Sequence, residues 1–320
     1  MAKLFGAAAA PPTSFRSIET RMTLMAAYGR MLRRWPVPCT SRWVHTSRGA
    51  AHMLVSGPAD GEPVLLLHSG GGNATGWLPN VEALSASLRV HALDIVGGAG
   101  LSDGPRPGNE REYCNWLVEV LDGLQLPTVA LCGASFGAWL AAGFARRAPQ
   151  RVSRLALLAP NHLAPLRLPL RARASMAALF PDAARVRALQ RHLSSPHAPA
   201  PAEEVALDFL ARWGCLHSRV LRPRTMTAAE MQALPRGTLV VLGEDEVLYD
   251  ARGARLRLGT HAPQVRVEML AAAGHAVAHD RAEAVSTLLL NFFMGHRAAL
   301  VQPWDVPGFA GVHPPFRAHG

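Results

Sequence analysis

The sequence contains one lysine, Lys3; every other Lys/Arg position is arginine. It has only four cysteines, Cys39, Cys114, Cys132 and Cys215, with no CxxC pair among them. That spacing argues against a zinc site and proposes no disulfide. No apolar run approaches the ~20 residues that span a bilayer, which argues against membrane insertion. The Met1–Pro12 stretch carries a short Ala tract, too short for the apolar core of a secretory signal. It reads as the leader of a cytoplasmic protein. Zinc-finger and RNA-binding signatures are also missing, so the formal charge of +10 does not point to nucleic acid. Arginine in place of lysine, with heavy Ala and Pro use, is the mark of a GC-rich coding bias.

What is present is material for a large core. Of 320 residues, 49% are hydrophobic and 18% charged, which fits one large α/β domain carrying an insertion. Thr20–Trp35 has the spacing of a short amphipathic helix stopped by Pro36 and Pro38. Arg42–Thr46 and Ala51–Ser56 read as short strands, and Pro63–Leu67 as a strand buried on both faces. Strands at Arg89–Leu93, Thr128–Cys132, Val152–Leu158, Thr238–Leu242 and Gln264–Met269 follow. Helices at Glu110–Leu124, Phe136–Ala148, Arg252–Leu258 and Ala282–Phe293 alternate with them. Such alternation predicts a mostly parallel central sheet with helices on both faces.

The alternation breaks at 159–236. Pro-rich turns there separate helical pieces, and no strong strand occurs. The segment reads as a helical lid over the strand ends, where open α/β sheets bind ligands. The expected organisation is a leader and short helix at 1–41, a core at 42–158 and 237–296, the lid between the two core parts, and a tail at 297–320. Apolar lid residues such as Phe180 and Phe209 are expected to face substrate, with Asn161 and His162 at the rim.

The strongest chemical signal is Gly133-Ala134-Ser135-Phe136-Gly137, between a strand and a helix. A sharp turn there exposes the Ser135 hydroxyl, and the flanking glycines avoid clashes in the tight bend. His68-Ser69-Gly70-Gly71-Gly72 follows another strand. Its backbone suits a developing oxyanion, with one donor at the Gly70 N–H and the other at the Phe136 N–H. It lacks the Lys of a phosphate-binding loop, and His68 reads as a structural anchor.

A hydroxyl needs a base, and His275 after the last strand fits better than His279, which lies nearer the last helix. An acid to orient the imidazole is expected in Gly243-Glu244-Asp245-Glu246, with Glu246 favoured over Asp245. No metal and no organic cofactor is called for.

Together these residues resemble the α/β-hydrolase superfamily over about residues 40–295. More narrowly, the chain is similar to bacterial carboxylesterases of the naproxen-esterase type. The matching stretches are WPVP (Trp35–Pro38), LLLHSGGGNATGW (Leu65–Trp77), ALDIVG (Ala92–Gly97), NWLVEVLDGL (Asn115–Leu124) and LGEDEVLYD (Leu242–Asp250). The resemblance implies hydrolysis of a small-molecule carboxylic ester. It also selects Glu246, the third residue after the strand-ending Gly243, as the acid. Two departures stand out: Ser69 where the superfamily usually has Gly, and Glu where Asp is commoner. Alternative readings are carbon–carbon bond hydrolysis of a diketone or dienoic acid by the same triad, and a non-catalytic binding protein on the same scaffold.

Overall fold

Residues 17–167, 183–200, 205, 208 and 223–295 are described by the structure, a computed structural model. Its eight strands are β1 (Cys39–Thr46), β2 (Gly49–Ser56), β3 (Glu62–Leu67), β4 (Leu88–Leu93), β5 (Val129–Ala134), β6 (Val152–Leu158), β7 (Thr238–Gly243) and β8 (Arg266–Leu270). They form one sheet in the order β1-β2-β4-β3-β5-β6-β7-β8. β1 and β2 make an antiparallel hairpin, β2 pairs antiparallel with β4, and all the other pairings are parallel. The sheet is thus the mostly parallel one its alternating elements predict.

Apolar alternation along β3 divides the core. Leu65 and Leu67 join the cluster that the helices Glu110–Gly123, Phe136–Arg147 and Ala251–His261 cover. Val64 and Leu66 join the opposite cluster, under Leu78–Ser85 and Ala282–Phe293. Successive strand side chains point to opposite faces, so a strand covered on both sides reads as a continuous apolar run. The helix Leu78–Ser85 escapes sequence reading because Pro79 looks like a breaker. It stands in the first helical turn, where the missing N–H has no helical partner to lose. The last strand begins at Arg266 rather than Gln264, because Val265 N–H closes a turn onto Ala262 O at 2.9 Å.

Chain order reverses around β3, which lies between β4 and β5. Crevices form at such switch points, beyond the carboxyl ends of the strands. Asp94, just after β4, builds one wall. Its fully buried carboxylate accepts hydrogen bonds from the Ala74 N–H at 2.7 Å, the Leu101 N–H at 2.9 Å and the Tyr28 hydroxyl at 3.1 Å, and it pairs with His52 Nδ1 at 2.8 Å. Burial pushes its pKa up, but the hydrogen bond and charge of His52 outweigh that and hold it below the usual value. The Ala74 bond starts the short turn Ala74–Trp77, which reaches the site. Tyr28 secures the N-terminal helix Ile18–Leu32 to the same carboxylate.

Of the segment read as a lid, the described parts include the helices Ala183–Leu193 and Ala228–Gln232. Phe180 and Phe209 lie outside the described residues, as do 1–16 and 296–320.

Candidate active site

At the end of β5 the chain must turn from strand to helix within one residue. Ser135 makes that turn at φ 52° and ψ −107°, a region disfavoured for any side chain and costing roughly 1–3 kcal/mol. Its N–H is held by Leu158 O of β6 at 2.8 Å. The flanking glycines are sterically required. A Cβ on Gly133 would sit 2.2 Å from Gly137 O, and one on Gly137 would sit 2.2 Å from Leu67 O. The bend therefore seats the turn directly against the end of β3. Phe136 starts the helix and packs its ring on Tyr113 and Trp139, with centroids 5.7 and 5.1 Å away.

His68 follows β3. Its Nε2 accepts the Ile95 N–H at 3.0 Å, so Nδ1 carries the ring proton and donates to Ser69 O at 2.8 Å. The histidine ties two strand-end loops together and takes no part in the serine's hydrogen bonding. Gly71 adopts φ 70°, and the Gly72 N–H closes the loop onto Ser69 O at 2.9 Å. Gly70 packs against Phe136: a Cβ there would lie 3.3 Å from that of Phe136. The residues chosen as oxyanion donors are therefore neighbours. They line a small cavity of about 20 Å³, the size of a single water, shared with Arg106 and Tyr113.

The loop after β8 carries His275. Its Nε2 lies 2.8 Å from Ser135 Oγ, and its Nδ1 lies 2.8 Å from Glu246 Oε2. The Glu246 side chain is fully buried and uses its other oxygen to accept the Leu248 N–H at 2.8 Å. With Nδ1–H donating to the carboxylate, Nε2 is left to accept the serine proton. Tyr249, fully buried, stands edge-on to the His275 ring, its centroid 6.4 Å away and the planes at 89°. Burial, with Glu246 beside it, drives the phenol pKa well above its ordinary value.

Asp245 points elsewhere. Its Oδ2 accepts the Ser195 hydroxyl at 2.6 Å, while its N–H donates to Ala273 O at 2.9 Å. Asp245 lies in the turn after β7, tied down by Ser195 and Ala273, and Glu246 just beyond it is the one of the pair that reaches the imidazole. Glu246→Gln is accordingly expected to lower kcat by on the order of 10²–10⁴-fold through loss of the orienting carboxylate. Asp245→Asn, which keeps an acceptor for Ser195, should cost far less. Steady-state kinetics of the two variants side by side check this; a reversed order would move the acid to Asp245.

Ser135 and His275 open on a cavity of about 140 Å³ whose wall includes Ser69, Trp77, Leu158, Leu193 and Val277. His279 is exposed and lines the same cavity, but His275 holds the serine hydroxyl. Asn161 and His162, expected at the rim, are not among the described residues lining this cavity. After β6 the chain turns at Ala159, φ 41°, and His162 is buried, with its O bonded by the Met226 N–H at 2.8 Å. Burial, then the nearby Arg146, lowers the His162 pKa to about 3. Sequence reading missed Trp77, Leu193 and Tyr249. Tyr249 lies inside the LGEDEVLYD stretch, but nothing in the sequence says that it faces the histidine.

Two proteins of Bacillus subtilis (strain 168) are similar to the chain. The carboxylesterase YbfK is 27% identical over 299 residues, covering 88% of this chain and 97% of that protein. The uncharacterized carboxylesterase nap is 28% identical over 275 residues, covering 83% and 90%. The crystal structure of naproxen esterase (carboxylesterase NP) from B. subtilis superposes with a TM-score of 0.80 at 26% identity, over 87% of this chain and 99% of that one. Residues 62–230 match the sequence profile of the alpha/beta hydrolase fold. Because that match spans more than half of its length, the chain belongs to the α/β-hydrolase fold family.

Proposed function

We propose that the chain hydrolyses small, largely apolar carboxylic esters through an acyl-enzyme on Ser135. The observation that carries this is the hydrogen-bonded relay Ser135–His275–Glu246 at the wall of an apolar cavity. His275 Nε2 takes the hydroxyl proton as Ser135 Oγ attacks the ester carbonyl, and Glu246 stabilises the imidazolium. The N–H groups of Gly70 and Phe136 receive the oxyanion. His275 then protonates the leaving alcohol and afterwards activates the water that releases the acid. The relatives that match 83% or more of this chain include proteins named carboxylesterases, which supports the same chemistry.

Carbon–carbon bond hydrolysis of a diketone or dienoic acid would use the same three residues, but its substrate carboxylate needs a cation in the cavity. No arginine or lysine is among the described residues lining the large cavity, whereas Arg106 lines the small one beside Gly70 and Phe136. The ester reading is preferred for the carboxylesterase relatives. The division of the chain is part of the proposal: 159–236 acts as a lid, since Gln190, Leu193 and Val205 wall the cavity from within it. So is a cytoplasmic setting, consistent with the free thiols Cys39, Cys114 and Cys132. Among the described residues no helix is long and apolar enough to cross a membrane.

A panel of p-nitrophenyl esters of increasing acyl length, run beside a dienoic carbon–carbon substrate, tests the reading. Ester turnover with a preference for short or medium acyl groups is expected, and the dienoic compound should be left intact. Cleavage of that compound with no ester turnover would replace the proposal. So would a protein that binds esters but neither turns them over nor reacts with a fluorophosphonate probe, the behaviour of a non-catalytic binding protein.

A further inference from the structure

The base His275 is flanked on both sides by backbone contacts to one short segment, Leu193–Ser195, which follows the helix Ala183–Leu193. On one side, the Ala276 N–H donates to Leu193 O at 3.0 Å. On the other, Gly274 is pressed so closely to the segment that a Cβ would lie 2.7 Å from Leu193 O and 2.8 Å from Ser195 N. A buried carboxylate completes the join. Asp280 Oδ2 accepts the Gly274 N–H at 2.8 Å and the Ser195 N–H at 2.8 Å. The Ser195 hydroxyl, in turn, reaches Asp245 Oδ2 at 2.6 Å, on the loop that carries Glu246.

We infer that Asp280 is a positioning residue that clamps Leu193–Ser195 to the His275 loop, so that the cavity wall and the general base move as one unit. The inference rests on the ester-cleaving reading of Ser135 and His275. Two backbone N–H groups from chain segments far apart in sequence share one carboxylate oxygen. Each would otherwise be a buried donor without a partner, an arrangement that costs free energy. Removing the carboxylate frees the residue immediately before the base and, at the same stroke, the segment whose Leu193 and Ser194 line the cavity. Proton transfer demands that Nε2 stay within hydrogen-bond reach of Ser135 Oγ, now 2.8 Å away, and small misplacements are costly in rate. Asp245 thereby acquires a role of its own, in fastening the acid loop to the same segment.

The test compares Asp280→Ala and Asp280→Asn in the full chain. It uses kcat and KM across the p-nitrophenyl ester series, fluorophosphonate labelling of Ser135 and the melting temperature. The alanine variant is expected to lose about 10–100-fold in kcat and in labelling rate and to shift its acyl-length preference. The asparagine variant should recover most of both, because its amide oxygen can accept the same two N–H bonds. An alanine variant with wild-type kcat, labelling rate and acyl profile overturns the inference. So does an asparagine variant as impaired as alanine, since charge and not the acceptor would then matter. Should Asp280→Ala fail to fold, Ser195→Ala takes its place, deleting the hydroxyl's bond to Asp245 Oδ2 and the one it accepts from the His197 N–H. A changed acyl profile at an unchanged melting temperature supports the clamp, and an unchanged profile overturns it. Wild-type protein that neither labels nor turns over esters would instead sink the ester reading, a result distinguishable from either.

Discussion

Replacing Ser135 with alanine is expected to lower ester turnover by on the order of 10⁴–10⁶-fold, while the melting temperature stays close to that of the wild type. The hydroxyl is the group that bonds to the carbonyl carbon in the proposed mechanism, and alanine carries no nucleophilic atom to replace it. The side chain contributes little to the fold. The strained turn at φ 52° is imposed by backbone packing around Gly133 and Gly137 and by the Leu158 hydrogen bond, all of which alanine retains. The loss on the folding side is the one contact to His275 Nε2. Purified variant and wild type compared on the preferred ester, with a fluorophosphonate probe as a second readout, decide the matter. Turnover or labelling near the wild-type level would remove Ser135 from the mechanism.

Loss of the base should be nearly as severe. His275→Gln is expected to reduce kcat by on the order of 10³–10⁶-fold, because an amide cannot take the serine proton. Glutamine is the better choice than alanine, since alanine would leave the Glu246 carboxylate buried beside an empty space. Loss of the N–H donor to that buried carboxylate would mix a folding defect with the catalytic one. His279→Ala is the control. It removes a solvent-exposed side chain at the cavity wall, so it should alter KM more than kcat. A dead His279→Ala beside an active His275→Gln would exchange the two assignments.

The parts of this molecule that could be read from the sequence are those governed by short-range geometry. Val64 to Leu67 forms an unbroken apolar run, and a two-sided buried strand follows from it directly. The glycines around Ser135 mark a bend too tight for a Cβ, and the calculated approaches of 2.2 Å give the steric reason. The helix Leu78–Ser85, which no element of the sequence reading covers, carries Pro79 in its first turn, where a proline costs no helical hydrogen bond.

The residues around the cavity show where such reading stops. Leu193 and Trp77 are ordinary apolar residues in the sequence, and only the folded chain brings them to one wall. Asn161 and His162 looked well placed because they directly follow a strand that ends at the site. The turn at Ala159 carries them away from it, and a backbone angle at one residue has no signature in a single sequence.

By itself, then, the sequence determined the strand–helix alternation, the serine turn, the glycine loop and the candidate base and acids, because each follows from periodicity or from the stereochemistry of adjacent residues. Tertiary structure brings the favoured Glu246 to the imidazole and the favoured His275 to the serine, and it alone decided that Asp280 joins the base loop to the cavity wall. Those pairings link residues 29, 140 and 85 positions apart in the chain. Hydrogen bonding acts over about 3 Å, so which partners meet is set by how the whole sheet and its loops pack.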